Sequence, residues 1–141
     1  MKRLVSAVAL VAVGVSAIAV AQIKRTPAPK GAEVYFISPQ DGETVTSPVT
    51  VRFGLKGMGV VPAGLTFDGA GHHHLIVDAK TPALDAPIPA DDHHLHIGKG
   101  QTESTVELKP GKHTLQLVVG DHLHIPHDPA VMSKVITITV K

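Results

Sequence analysis

The sequence predicts an all-β protein, a single immunoglobulin-like Greek-key β-sandwich of about seven strands preceded by a signal peptide. Three observations lead there. Beyond residue 32 the chain is a series of short runs rich in β-branched residues, broken by Gly and Pro. No stretch places apolar residues at the helical period. The length left after the leader, about 120 residues, suits one domain with one core.

The chain opens MKRLVSAVALVAVGVSAIAVAQ, with two basic residues, an apolar run from Leu4 to Val20, and small residues at Ala19 and Ala21. That is the pattern of a secretory signal peptide over 1–21. The run is rich in Ala and Val and short for a membrane span, which needs about 20 strongly apolar residues. Cleavage after Ala21 is therefore expected, leaving no membrane span in a periplasmic or secreted product. "QIKRTPAPKGA" over 22–32 is basic and rich in Pro and Ala, and reads as a flexible, extended linker before a domain at 33–141.

Within that domain "EVYFIS" (33–38) is the first expected strand, followed by a loop with Asp-Gly and Ser-Pro punctuation. "VTVRFGLKG" (49–57) alternates, with Val49, Val51, Phe53 and Leu55 on one face and Thr50, Arg52 and Lys56 on the other. One face should be buried and one wet. "HHHLIVD" (72–78), "HHLHIG" (93–98) and "STVELK" (104–109) follow. The last turns at Pro110-Gly111 into "KHTLQLVVG" (112–120), and "SKVITITVK" (133–141) closes the chain.

Charge and cysteine content exclude several functions. Loss of Lys2 and Arg3 with the leader takes the formal charge from +1 to −1, so no nucleic-acid partner is expected. The chain has no cysteine, which excludes disulfides and thiolate metal sites.

Histidine carries the chemical signal. Nine of the ten histidines lie in "GHHHLIVD" (71–78), "DDHHLHIGKG" (91–100) and "GDHLHIPHDP" (120–129). On a strand, residues two apart share a face. His72 with His74, His94 with His96, and His122 with His124 are thus three pairs, each presenting two imidazoles to one side. If strands alternate in direction, all three islands meet at one end of the sandwich. Neutral imidazole ligates copper, zinc, nickel and iron, and a transition metal, copper or zinc, is the expected ligand, with no organic cofactor.

Those six histidines are the candidate ligands. His73, Asp121, His127 and Asp128 are in supporting roles, and Asp91, Asp92 and Glu103 are further carboxylates able to complete or orient a site. Met58 and Met132 are read as gap fillers. The competing reading is a hydrogen-bond network that ties loops, such as Asp121 with His124 or Asp78 with His74. His113 shares a face with Leu115, Leu117 and Val119 and is read as a core-edge histidine apart from the islands. No nucleophile elbow or H-E-x-x-H helix is present, so a binding role ranks above an enzyme. "HIGKGQTE" (96–103) reads as a turn, with Gly at a positive backbone angle.

"GHHHL" (71–75), "HLHIGKGQTE" (94–103), "PGKHTLQL" (110–117) and "GDHLHIPHDP" (120–129) together resemble a family of exported bacterial domains catalogued as a domain of unknown function. The resemblance implies a compact exported domain and no activity. A looser likeness links the pattern to immunoglobulin-like modules, periplasmic copper-binding sandwiches and copper/zinc superoxide dismutase. The function expected is metal buffering, delivery or sensing. A non-metal envelope-interaction module with a periplasmic or envelope protein partner is the alternative, followed by a metal-dependent enzyme.

Overall fold

The computed structural model describes residues 21–141. The predicted signal peptide, apart from Ala21, lies outside them. Among the described residues there is no helix, and hence none long and apolar enough to cross a membrane. In chain order the strands are β1 (Glu33–Ser38), β2 (Thr44–Val45), β3 (Val49–Lys56), β4 (Gly59–Val60), β5 (Ala70–Val77), β6 (His94–Ile97), β7 (Glu103–Val106), β8 (Gly111–Gly120) and β9 (Ile136–Val140). The seven expected strands are all present. The two additions, β2 and β4, are two residues each, too short to show a period in the sequence.

Two sheets face each other as an open sandwich. One is antiparallel, in the order β1-β3-β7. The larger runs β2-β9-β8-β5-β4, with β6 pairing with β5 beside β4. In β3 the alternation holds: Val49, Val51 and Phe53 are buried and Arg52 is exposed. They meet Leu75, Val77, Leu115, Leu117, Val119, Ile138 and Val140 from the larger sheet to form the core. Burying each such side chain stabilises the fold by about 1.5–3 kcal/mol.

β5 departs from the half-wet pattern, because all eight of its residues are buried. Leu75 and Val77 enter the core, whereas Ile76 joins Ile88 and Val118 in a second, smaller cluster on the opposite face of the sheet. The 84–91 and 121–128 segments cover that outer face, tied together where Ile88 N donates to His124 O at 2.8 Å. This covered outer face positions the candidate site.

The 22–32 segment, expected to be a flexible linker, is extended but docked over part of its length. Pro27 bridges Asp128 in parallel. Asp128 N donates to Thr26 O and Ala28 N to Asp128 O, both at 2.9 Å. The reason is charge and backbone pairing: the basic residue read as a mark of a tether, Arg25, meets the Asp128 carboxylate at 3.3 Å.

Candidate metal centre

Strand register brings the first three histidines together. In the β5–β8 pair His72 faces Gly120 and His74 faces Val118, while in the β5–β6 pair His74 faces His96. His72 and His74 are two apart and share the outer face with Ile76, and His96 joins them across the strand gap. The fourth histidine comes from a turn. Beyond β8 the chain folds back, with Asp121 N donating to Ile125 O and His124 N to Asp121 O, both at 2.9 Å. His124 itself adopts φ 63°. That left-handed conformation is uncommon for a residue with a side chain.

One nitrogen from each of His72, His74, His96 and His124 lies within 4.8 Å of the others. His72 Nε2 is the hub, 3.0 Å from both His74 Nε2 and His124 Nδ1. A metal with nitrogen ligands at about 2.0–2.1 Å sets neighbouring nitrogens of a tetrahedral site about 3.3 Å apart. The hub distances are near that spacing. All donors are imidazole nitrogens, a set suited to divalent copper or zinc.

Burial keeps the inner pair neutral. His72 is 1% exposed and its pKa is lowered to about 4, by burial first and then by the neighbouring His124 and His96. His74, also 1% exposed, is lowered to about 2 by burial and then by His72, His96 and His124. His96 is lowered by burial of part of its ring and by His124. Neutral imidazoles hold lone pairs ready for a cation and need lose no proton to bind it. His96 is exposed, so this side of the cluster opens to solvent.

Two glycines make room for these rings. A Cβ at Gly120 would lie 2.9 Å from His74 Nε2 and 3.3 Å from the His124 carbonyl carbon. A Cβ at Gly98 would lie against His96 Cε1 and Nε2, too close for the ring to stay in place. Neither glycine was among the expected site residues. The signal available was each glycine's place two or four residues from an island histidine, which a turn explains equally well.

Three islands converge, but not as three equal pairs. His94 lies two cross-strand pairs further along, opposite Ile76, and its Nδ1 donates to Asp91 Oδ1 at 2.8 Å. His122 is outside the group because 121–124 is a turn, where residues two apart do not share a face. The site also sits on the outer face of the larger sheet near the end of β8, rather than among loops beyond the strand ends.

The expected supporting residues divide likewise. His73 points into the core, its ring centroid 4.5 Å from that of Phe53. Its pKa is lowered to about 4 by burial. His127 is buried outside the group, with Nδ1 3.5 Å from Val119 O. Asp128 pairs with Arg25, and Glu103 with Arg52. Met58 packs against the core and Met132 is exposed.

Asp121 meets the turn that carries His124 through backbone rather than through a ring. Its Oδ1 accepts from Leu123 N at 2.9 Å and Ile125 N at 3.0 Å, on either side of His124. Burial opposes ionisation of Asp121, but hydrogen bonds from Thr26, Ile125 and Leu123, with His122 nearby, hold its pKa below the ordinary value. Asp78, expected near His74, instead accepts from His113 Nδ1 at 2.6 Å. His113 thus lies apart from the cluster, satisfied at the core edge.

Residues 51–141 match the model of a family described as a domain of unknown function, DUF4399. No curated protein and no solved structure matches the chain.

Proposed function

From the premise that this chain belongs to the DUF4399 family, whose description carries no activity, we propose that the protein binds one transition-metal ion through His72, His74, His96 and His124. One observation carries the reading: four imidazole nitrogens from three separate parts of the chain come within 4.8 Å of one another. The ion is copper or zinc, because the donors are all nitrogen and the chain has no thiolate to offer. Two ligands are buried and one is exposed, which suits an ion that is held and then passed on. Buffering or delivery by an exported protein follows, with the apolar leader as the support for export.

A hydrogen-bonded cluster is the second reading, favoured by the two 3.0 Å contacts to His72 Nε2. Either His74 or His124 donates to the single lone pair of that atom. His96, however, makes no ring hydrogen bond among the described residues, although its nitrogen is one of the four. A network leaves it idle, whereas a metal uses it.

The test is titration of the untagged chain with copper(II) and zinc(II) in competition with a chelator. The wild type binds one equivalent more tightly than micromolar. His96→Ala, at an exposed position that leaves the fold intact, weakens binding by at least about tenfold. His94→Ala and His122→Ala stay close to wild type. Binding no tighter than micromolar, unchanged in His96→Ala, would overturn the proposal.

A further inference from the structure

The segment before the first strand is tied to the one candidate ligand that does not sit on a strand. Thr26 Oγ1 donates to Asp121 Oδ2 at 2.6 Å, across a sequence separation of 95 residues. The other oxygen of the same carboxylate receives the N–H groups of Leu123 and Ile125, which flank His124. Arg25 reinforces the contact: Nε donates to Pro126 O at 3.0 Å, and the guanidinium also reaches His127 O and the Asp128 carboxylate. Two backbone hydrogen bonds between Thr26 or Ala28 and Asp128 complete the strap.

We propose that Arg25 and Thr26 are positioning residues for the metal centre, acting through Asp121 to set the turn that carries His124. This rests on the reading of the four-histidine cluster as a metal site. The physical reason is that Asp121 is 4% exposed. A buried carboxylate oxygen without a donor is costly, so without the Thr26 hydroxyl the carboxylate turns toward other partners. Its grip on Leu123 and Ile125 then loosens. His124 holds a φ of 63° only while its surroundings impose it. Once released, it swings its ring away from His72, and the site falls from four ligands to three.

The strap joins the loop from the far side of the sequence, so it can govern His124 while leaving His72, His74 and His96 on their strands. The expected signature is loss of one specific ligand, which separates positioning from general destabilisation.

The experiment compares Thr26→Val, Thr26→Ser, Arg25→Ala and His124→Asn in the full exported chain, with copper(II) as the probe. Thr26→Val and Arg25→Ala are expected to weaken copper(II) about tenfold, the scale of lost outer partners at metal sites. Their paramagnetic resonance spectra should shift to match that of His124→Asn. Thr26→Ser, which keeps the hydroxyl, restores wild-type affinity and spectrum. In the His124→Asn background Thr26→Val has no further effect. A wild-type spectrum and affinity in Thr26→Val and Arg25→Ala would overturn the proposal. So would an equal loss with and without His124.

Amide hydrogen exchange at Leu123 and Ile125, measured without metal, tests the strap independently. Faster exchange in Thr26→Val with rescue in Thr26→Ser supports it, and unchanged exchange overturns it. If the wild type takes up no copper(II), the metal reading fails, and the exchange result alone decides whether the strap holds the turn.

Discussion

His113 and the cluster histidines show how one residue type acquires opposite properties from its surroundings. His72 and His74 are buried among other imidazoles, and their charged forms are suppressed. His113 has Nδ1 2.6 Å from Asp78 Oδ2 and Nε2 2.7 Å from Lys109 O. Two acceptors face two ring nitrogens, an arrangement that only the doubly protonated ring satisfies. Its pKa is raised accordingly, first by the Asp78 hydrogen bond and then by the Lys109 carbonyl, against a smaller effect of burial. A raised folded pKa means that this contribution to stability is complete below the unfolded value near 6.5 and is lost as pH rises through the folded value. Denaturant unfolding of wild type and His113→Gln should therefore show a gap that is widest in mild acid and closes at alkaline pH. Solvent screening keeps it within about 1 kcal/mol. The sequence placed His113 apart from the islands correctly, because strand alternation alone puts it beside Leu115 and Leu117. It did not identify Asp78 as the partner, because that pairing depends on β5 lying next to β8.

At the scale of elements, the β5–β8 pair does most to build the site, and Gly120 is its tightest point. The residue lies opposite His72, and its missing side chain leaves the space that the His74 ring occupies. Gly120→Ala is expected to displace His74 Nε2, since the added carbon would lie 2.9 Å away. Overpacking of this kind costs about 1–3 kcal/mol. The prediction is a folded variant with copper(II) affinity reduced by about tenfold, checked by competition titration beside circular dichroism. Retained affinity would show that the ring has room to move. The His-x-His spacing put His72 and His74 on one face of β5 because a strand repeats every two residues. At 122 and 124 the backbone turns, so the spacing does not put both rings in the group, and at 94 and 96 the two share a face but His94 lies further along β6, opposite Ile76 and outside the group.

For the whole molecule, the cluster joins β5, β6 and the turn after β8, three segments far apart in sequence. An ion held there ties one edge of the larger sheet to the loop that covers it. Because the unfolded chain has no such site, binding stabilises the fold by about 2.7 kcal/mol at an ion concentration one hundred times Kd. Thermal unfolding with and without zinc(II) should show a midpoint raised by roughly 10 °C, with about half of the gain lost in His96→Ala when its binding is about tenfold weaker. An unchanged midpoint at saturating zinc(II) would count against a site of this strength. The sequence by itself determined the β class, the seven main strands, the separation of His113 and the meeting of the three histidine islands. These follow from local periodicity, turn chemistry and the alternation of strand direction. Only the tertiary structure decided that His96 and not His94 lies in the group, that His124 joins from a turn, that Gly120 and Gly98 leave space for the rings, and that Arg25 and Thr26 contact the segment after β8. Each of those depends on register, on the space a missing side chain leaves, or on a contact nearly one hundred residues away along the chain, such as that from Thr26 to Asp121. Such relations are set by packing between segments, and no local pattern in the sequence encodes them.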